Sequence, residues 1–516
     1  MNEHFSLILS TLFLDSNYTM AEEFTIPSCK PRYSQIPKFL FNSDLGVYLR
    51  DSSATGSGSL GLWNHQALAL EKINEGKNVV VSTGTASGKS LIFRSASFHH
   101  ILLAPDSRIL VFYPLKALAT DQLRGWRSMA KSLGLSPETV GRIDGSTDVK
   151  ERDHILNSAR IVIMTPDVCH AWLMSRLSIP LVKEFLKKLA YIVMDEAHTL
   201  DGVFGSNFAF LLRRIFAARR QLISGNVSPL HLIASTATIS NPIEHMRMLT
   251  GMDFEQITEE DNGSPSALRF CAHLVSPDTE EMLIARTLQT DILQKTELKF
   301  ITFVDSRKGV EVLARSSQNA VEKLLGNDAV MPYRAGYDGV DRENIERRLR
   351  TGELRGVIST SALELGIDLP HLTVGINIGV PPTRKAYRQR LGRVGRSQPG
   401  IFLVIAPKNA FKGYGTSFRE YHNLSVEPSY LYLDNRFMQF AHSRCLADEL
   451  EALGEKNLNL PTNIQWPEGF KDVYTTAKPG GNRPPEFDAI AQLGADTPQR
   501  SYPLRNIGEI NFKIAI

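Results

Sequence analysis

Short apolar runs rich in β-branched residues alternate with stretches of helical periodicity from Leu60 to about Ser240. Such runs are typical of strands buried on both faces, and their alternation with helices predicts a parallel sheet covered by helices. A polar motif follows each run, and ligands of open α/β sheets bind at the carboxyl ends of the strands. We therefore expect a binding site along that edge. The predicted strands are Asn78–Val81, Ile109–Tyr113, Ile161–Met164, Ala190–Met194 and His231–Ala234.

A second alternating series follows the polar, turn-rich stretch Glu259–Ser266, which we interpret as a surface loop near the boundary between two lobes. The fold class is therefore α/β, with two tandem parallel-sheet domains, because 516 residues are too many for one core. The second set of predicted strands is Lys299–Phe303, Gly356–Ser359, Thr373–Ile378 and Ile401–Ile405. The predicted divisions are an N-terminal accessory segment at 1–59, domains at 60–260 and 261–412, and a C-terminal accessory region at 413–516 with a helix near Phe437–Leu453.

Composition limits the classes of protein to be considered. The net charge of +3 is too small to indicate nucleic-acid binding by itself. The four cysteines are scattered singly, without the close spacing of a zinc site, which favours reduced and buried thiols. The apolar run Phe5–Leu14 is too short to span a bilayer, and Glu3 precedes it where a signal peptide would carry basic residues. We expect a cytoplasmic protein without membrane association.

A glycine-containing loop follows the run that ends at Val81. Its backbone N–H groups can point at phosphate oxygens, and the next helix offers its positive N-terminus. Lys89 would contact the β- and γ-phosphates of ATP, and Ser90 would ligate Mg²⁺. Thr83 stands where the strict phosphate-loop pattern has its first glycine, and the alternative is an ordinary strand-turn-helix connection. The predicted nucleotide-binding residues are Thr83, Gly84, Thr85, Ala86, Ser87, Gly88, Lys89 and Ser90.

Two adjacent acids, Asp195 and Glu196, follow another buried run. We predict that the Asp195 carboxylate lies beside Mg²⁺ and that Glu196 orients and deprotonates the attacking water. The alternative is that an exposed strand end carries these acids by chance. His198 ends the four-residue motif Asp195–His198, which we call the acidic quartet. It is either a packed side chain or a link between the ATP site and the other lobe.

These residues resemble those of superfamily 2 helicases of the DEAD/DEAH-box kind. The segments Ser82–Leu91 and Thr360–Asp368 are most similar to the MrfA-like bacterial helicases and their RecQ-related fungal counterparts. The resemblance is close from roughly Leu60 to Ala410. It implies two RecA-like domains and an ATP-dependent helicase that moves 3′ to 5′ on DNA with a single-stranded tail, in DNA repair or anti-phage defence. An RNA helicase, or an ATP-switched binding subunit without processive unwinding, remains an alternative.

The resemblance also assigns roles to further residues of the first domain. Gln66 lies where such helicases read the adenine edge, although a helix-capping or surface glutamine is the alternative. Lys116, Gly145 and Thr165 belong to segments that hold nucleic-acid phosphates, since such contacts position a strand without reading its sequence. For Thr165, a plain helix cap is the alternative. The segment Ser235–Thr238 resembles the motif that couples hydrolysis to strand movement, and a simple turn is its alternative.

In the second domain the resemblance implies nucleic-acid contacts from Ser306, Arg307, Arg334, Thr360 and Ser361, and nucleotide contacts from Gly366 and Asp368. Arg393 and Arg396 lie three residues apart, which predicts that they share one helical face. Their guanidinium groups suit bidentate binding of the γ-phosphate. A solvated basic helix is the alternative, and the nearby Gln389, with two glycines at fixed spacing, favours the catalytic interpretation.

MrfA-like proteins usually continue into a C-terminal domain that carries a four-cysteine zinc site. No such set is present in the sequence, because the cysteines are scattered singly at Cys29, Cys169, Cys271 and Cys445. We hypothesise that a separate subunit supplies this zinc-binding domain. A natural short form, or a boundary chosen for expression, would explain the same sequence.

Overall fold

The computed structural model describes residues 18–51, 61–223, 229–237, 239–275, 280–325, 329–333, 339–363, 372–396, 398–494 and 497–506. These residues form two compact units. The larger unit comprises the described residues of Tyr33–Thr83, Gly88–Asp261 and Pro428–Ile516, and the smaller unit those of Met1–Arg32, Gly84–Ser87 and Asn262–Glu427. The predicted accessory regions at 1–59 and 413–516 are therefore each divided between the two units.

The described strands, in chain order, are β1 (Thr19–Ile26), β2 (Tyr33–Ser34), β3 (Leu62–Trp63), β4 (Val79–Val81), β5 (Arg108–Phe112), β6 (Val140–Ile143), β7 (Ile161–Met164), β8 (Leu189–Met194), β9 (His231–Ser235), β10 (Glu255–Ile257), β11 (Arg269–Val275), β12 (Phe300–Phe303), β13 (Val330–Tyr333), β14 (Gly356–Ser359), β15 (Val374–Ile378) and β16 (Gly400–Ile405). Every strand predicted from the sequence is present, with ends that differ by no more than one residue. The α/β fold class is confirmed.

The α-helices of the larger unit are Asp44–Asp51, Asn64–Asn74, Lys89–Leu103, Lys116–Ser132, Val149–Ser158, Pro166–Val168, Pro180–Lys187, Gly202–Leu222, Pro242–Thr250, Arg436–Ala452, Phe470–Ala477, Asp488–Leu493 and Pro498–Ser501. Those of the smaller unit are Glu281–Lys295, Arg307–Leu325, Gly339–Thr351, Arg384–Leu391 and Phe418–Asn423. In the described part of the chain, no helix combines the length and apolar character needed to cross a bilayer.

Seven parallel strands form the main sheet of the larger unit, in the order β10-β4-β9-β8-β5-β7-β6. Alternate residues of one strand supply two separate cores: Leu110 and Phe112 pack on one face, and Ile109 and Val111 on the other. Burial on both faces explains why strands such as β4 and β7 are apolar at every position.

A C-terminal layer, residues 428–506, completes the larger unit. Apolar side chains of Arg436–Ala452 and Phe470–Ala477 share a buried cluster with Phe210 and Ala217 of helix Gly202–Leu222. The aromatic rings of Phe210 and Phe470 lie 5.5 Å apart. One face of that helix therefore has its hydrophobic partner in sequence more than 200 residues downstream.

The smaller unit contains a second seven-stranded sheet, in the order β1-β11-β16-β15-β12-β14-β13. Its strands are parallel except for β1, which pairs antiparallel with β11 at the sheet edge. The N-terminal strand is anchored by Phe24, which is buried 5.1 Å from the ring of Phe418. Three of the four cysteines are buried, but Cys29, expected to be buried, is exposed because it lies in the chain beyond the end of β1.

Candidate active site

The carboxyl edge of the larger sheet carries the motifs that were predicted to follow its strands. Three neighbouring strands, β4, β9 and β8, lead into the glycine-containing loop, Ser235 and Asp195 respectively. The next three strands, β5, β7 and β6, lead into the segments of Lys116, Thr165 and Gly145. The predicted nucleotide residues therefore occupy one half of the edge, and the predicted nucleic-acid residues occupy the other.

The loop after β4 turns sharply into helix Lys89–Leu103. Gly88, at the N-cap of this helix, has a φ of +71°, and a Cβ built there would lie 2.7 Å from Gln66 Nε2. Ala86 also has a positive φ of 61°, which is costly for a residue with a Cβ. Backbone strain of this kind persists where the surroundings fix it and is common at ligand sites. The loop thus combines strain with a close backbone approach.

The Lys89 amine lies inside this turn, where Nζ donates a hydrogen bond to Thr83 O at 2.8 Å. Burial lowers the pKa of Lys89, while the nearby carboxylates of Glu196, Asp195 and Glu259 act in the opposite direction. Glu259 received no role from its sequence, because nothing local marks a loop carboxylate as a neighbour of a lysine so distant in the chain. The amine therefore faces a concentration of negative charge, as a phosphate-binding lysine would.

Asp195 is buried at the end of β8. Its Oδ1 accepts a hydrogen bond from the Ser235 hydroxyl and another from Glu196 N at 3.0 Å. Burial and the neighbouring Glu196 raise the pKa of Asp195 to about 6, against the opposing effects of the Ser235 hydrogen bond and Lys89. A carboxylate held in this state would be stabilised by a cation, because positive charge favours the ionised form.

His198 is buried, and its Nδ1 accepts a hydrogen bond from Ala237 N at 3.1 Å. A backbone N–H can only donate, so the ring proton lies on Nε2 and the imidazole is neutral. The 3.5 Å approach of Glu196 Oε2 to Nδ1 is therefore no ion pair. His198 joins the acidic quartet to the segment after β9, whereas a link to the other lobe stays a prediction.

Gln66 is buried and lies in the first turn of helix Asn64–Asn74. Its Oε1 accepts from Trp63 N at 3.1 Å, and its Nε2 donates to Gly88 O at 3.2 Å. The side chain thus caps its own helix, as the alternative interpretation had it, and also contacts the loop after β4. It is not a surface glutamine.

Lys116 and Gly145 lie together at the other half of the edge: a Cβ built on Gly145 would be 2.8 Å from Lys116 Nζ. Both residues are exposed. Asp144 directly precedes Gly145. Burial opposes its ionisation, but hydrogen bonds from Ser146 and the charges of Arg142 and Lys116 lower its pKa. The pair is thus a basic, accessible surface.

Thr165 is buried at the start of Pro166–Val168, and its hydroxyl makes no capping hydrogen bond. The plain-cap interpretation therefore lacks its defining contact.

In the smaller unit, adjacent strands bring two predicted segments together. Val304 N donates to Ser359 O at 2.9 Å, so the chain that leads to Ser306 and Arg307 emerges beside Thr360 and Ser361. Ser306 and Arg307 are exposed, and so is Ser361. Arg334, Gly366 and Asp368, together with Thr238 of the larger unit, lie outside the described residues.

The helix that contains Gln389 ends at Leu391, and the prediction that Arg393 and Arg396 share a helical face is wrong. Gly392 is the C-cap, and Gly395 has a φ of +65°, so the chain leaves helical geometry between the two arginines. Arg393 is buried, and Arg396 Nε donates back to Gly392 O at 3.2 Å.

Sequence reasoning missed Arg390, which connects the second-domain motifs. Its guanidinium is buried and donates to Asn377 Oδ1 and Asp305 Oδ1, both at 2.7 Å. It thereby holds the residue before Ser306 in place. No local signal distinguishes Arg390 from the other arginines of this segment.

The residues of the larger unit fit a nucleotide and Mg²⁺. A hydroxyl at Ser90 and a carboxylate at Asp195 are oxygen donors of the kind that Mg²⁺ prefers. The strained turn at Gly88 leads directly into the N-terminus of helix Lys89–Leu103, where phosphate binds well. The site can therefore hold a phosphate chain beside paired carboxylates.

Two family models match the chain in order: DEAD/DEAH box helicase over residues 63–246 and helicase conserved C-terminal domain over residues 282–398. The chain is 31% identical over 447 residues to the ATP-dependent helicase HRQ1 of Saccharomyces cerevisiae, an alignment that covers 83% of this chain and 40% of that protein. It is 32% identical over 398 residues to the uncharacterized ATP-dependent helicase YprA of Bacillus subtilis, with coverages of 75% and 52%.

Among solved structures, the DUF1998 helicase MrfA bound to DNA superimposes with a TM-score of 0.77 at 28% identity, covering 86% of this chain and 58% of that one. The same helicase bound to DNA and AMPPNP gives a TM-score of 0.77, with coverages of 86% and 61%. The chain thus spans between 40% and 61% of the length of these relatives. The chain belongs to the superfamily 2 helicases of the DEAD/DEAH-box kind, in the branch that includes the MrfA-like and YprA-like proteins.

Proposed function

We propose that this chain is an ATP-dependent nucleic-acid motor that unwinds DNA by moving 3′ to 5′ from a single-stranded tail. The observation that carries the proposal is the division of the larger sheet edge. β8, which leads to Asp195 and Glu196, is the direct neighbour of β5, which leads to Lys116. The proposed nucleotide residues and the proposed nucleic-acid residues therefore follow adjacent strands of one sheet.

In the proposed mechanism, the loop from Thr83 to Ser90 binds the phosphate chain and Lys89 offsets charge on the β- and γ-phosphates. Glu196 orients the attacking water and accepts its proton, as a positioned carboxylate can. Mg²⁺, held by Ser90 and Asp195, would neutralise developing charge on the phosphates. Arg393 and Arg396 of the smaller unit, with Gln389, are proposed to stabilise the γ-phosphate, a role worth about 10³–10⁵ in rate in related systems.

DNA is the proposed substrate because two solved relatives are described as bound to DNA. Phosphate contacts dominate the proposed interface, and such contacts position a strand without reading its sequence. The cytoplasm is the proposed location, and DNA repair or defence against phage is the proposed context.

The ATP site is tested by Lys89→Ala and Glu196→Gln. We expect both variants to lose ATP hydrolysis by at least about 10²-fold, because each removes a group that acts on the reacting phosphate or water. Glu196→Gln should still bind ATP, since only the proton acceptor is lost. Lys150→Ala, which removes an exposed lysine of the same unit, is the control and should be fully active. Full hydrolysis by either site variant would refute the assignment.

Substrate and polarity are tested separately. ATPase stimulation should be stronger with single-stranded DNA than with RNA of equal length, and strand displacement should require a 3′ tail. Stimulation by RNA alone would favour the RNA helicase. Stimulated hydrolysis without displacement would favour an ATP-switched binding subunit.

A further inference from the structure

The last described residues of the chain, 502–506, lie across the larger unit in a fixed register. His170 Nε2 lies 2.8 Å from Tyr502 O, and Asn207 Nδ2 donates to Leu504 O at 2.9 Å and to Asn506 O at 3.2 Å. The side chains of Tyr502 and Leu504 are buried. We call residues 502–506 the strap. The carbonyl groups of every second residue of the strap accept hydrogen bonds. The side chain of the residue between Leu504 and Asn506 therefore has a defined direction.

That side chain is Arg505, which bridges two neighbouring loops. Its Nε and Nη2 donate to Asp167 Oδ1 and Oδ2 at 3.2 and 2.8 Å. Nη2 also donates to Pro114 O at 3.0 Å, and the guanidinium lies 4.1 Å from the ring centroid of Phe204. One planar group thus joins the chain leaving β5 to the chain leaving β7.

These two loops contain Lys116 and Thr165, two of the residues proposed to hold nucleic-acid phosphates. An exposed ion pair contributes little to stability by itself, and Arg505 and Asp167 are 48% and 40% exposed. A bidentate fork has a stricter geometry than a point charge, however, and it fixes orientation as well as distance. The arrangement is therefore suited to setting the spacing of the two loops.

We propose that Arg505 is a positioning residue for nucleic-acid binding: it holds the Lys116 and Thr165 loops at the separation that suits a bound phosphate backbone. The proposal rests on the proposed function, because it assumes that these loops bind nucleic acid. Preorganised loops bind more tightly, since less ordering is needed on binding. Without Arg505, the two loops stay anchored where they leave the paired strands β5 and β7, but they lose the bridge that joins them beyond that point.

The first test is Arg505→Gln in the full chain, with ATPase activity titrated against a single-stranded DNA oligonucleotide. We expect the DNA concentration for half-maximal stimulation to rise about fivefold, or about 1 kcal/mol at 1.4 kcal/mol per tenfold. The rate at saturating DNA, the rate without DNA and Tm should stay unchanged. Arg505→Lys should not restore affinity, because an ammonium cannot bind bidentately.

Arg483→Gln is the matched control. Arg483 also forms an exposed pair in the larger unit, with Nε 2.9 Å from Asp488 Oδ1, but it contacts neither loop. Its affinity for DNA should equal that of the unaltered protein.

Asp167→Asn separates positioning from direct phosphate binding by Arg505. If Arg505 positions the loops, Asp167→Asn weakens DNA binding like Arg505→Gln, and the double variant is no worse than either single one. If Arg505 binds phosphate itself, removing its carboxylate partner leaves affinity unchanged or increases it, and the proposal is wrong. An unaltered protein without DNA-stimulated ATPase would refute the proposed function instead, and stimulation unaffected by Arg505→Gln would refute only this inference.

Discussion

Position 88 shows how much a single residue decides at the nucleotide loop. Gly88 and Gly134 share a φ of +71°, which L-amino acids rarely adopt. Around Gly134 there is no atom within 4 Å of a built Cβ, whereas at Gly88 that atom would approach both Gln66 and Trp63. A comparison of substitutions at the two glycines therefore distinguishes the effect of backbone strain from the effect of side-chain crowding.

We expect Gly88→Ala and Gly134→Ala to cost a similar strain of about 1–2 kcal/mol, because both force a Cβ into the left-handed region. Only Gly88→Ala should also weaken ATP binding, since it displaces Gln66 or reshapes the loop. Tm and titration with a fluorescent ATP analogue measure the two effects. Equal ATP affinity in both variants would show that the crowding at Gly88 is harmless.

Residues next to a strand end were predictable, and residues that arrive from elsewhere were not. Lys89, Asp195 and Glu196 were identifiable because each belongs to a short motif directly after an apolar run. Arg505 and Glu259 reach the same sheet edge from distant parts of the chain. The residues next to them in sequence form no motif that predicts this location. Spacing within a motif also misled at Arg393 and Arg396, because glycine ends the helix between them.

At the scale of the element, the sequence pattern predicted the central strands of each large sheet but not its edge strands. The four edge strands of the two seven-stranded sheets, β1, β6, β10 and β13, were missed, as were β2 and β3 of the two-stranded sheet. An edge strand has less apolar burial and tolerates residues such as Pro332 in β13 and the two glutamates of β1. Only β11 was missed from the interior.

Helices Gly202–Leu222 and Arg436–Ala452 are joined by a buried polar network around Arg214. Its Nη1 lies 3.1 Å from His170 Nδ1 and 2.9 Å from His442 Nδ1, and its other nitrogens donate to Glu449. A guanidinium only donates, so both histidines are neutral acceptors at Nδ1. Their Nε2–H groups then donate to Tyr502 O and, from His442, to Asn207 Oδ1 at 3.1 Å.

Acid should loosen this junction. Burial, with the charge of Arg214, holds the pKa of both His170 and His442 well below 6.5. The unfolded chain therefore binds more protons below pH 6.5, and stability is lost as pH falls. We expect a loss of about 1 kcal/mol per histidine between pH 7 and pH 5.5.

The comparison is between Tm profiles of the unaltered protein and His442→Asn over that pH range. The variant keeps an acceptor near Arg214 but cannot be charged, so its profile should be flatter. His154→Asn, at an exposed position, is the control and should keep the original slope. A His442→Asn profile as steep as the original would contradict the expected role of this imidazole.

At the scale of the whole molecule, each unit is assembled from segments that are far apart in sequence. Residues 18–32 add β1 to a sheet whose other strands begin at Arg269, and residues 428–506 complete the unit that begins at Tyr33. The composition of each unit could not be predicted, because the sequence pattern reports local burial and not which distant segment covers it. The α/β class and the presence of two mainly parallel sheets were predictable.

The N-terminal strand should contribute to the stability of the smaller unit. Phe24→Ala removes a buried ring that packs on Phe418, and we expect a cost of about 3 kcal/mol. Hydrogen exchange should then accelerate in β11 and its neighbours. Met20→Ala, on the same strand but 42% exposed, is the control and should leave exchange unchanged. Unchanged protection in Phe24→Ala would mean that β1 is dispensable.

The downstream partner of helix Gly202–Leu222 has a consequence for synthesis. About 200 residues separate this helix from Arg436–Ala452, which covers its apolar face. At about 5–20 residues per second, the ribosome needs roughly 10–40 seconds to produce the covering layer. The larger unit, whose sheet is translated before most strands of the smaller one, is therefore completed last. During that interval Phe210 and its neighbours are a surface that chaperones would shield.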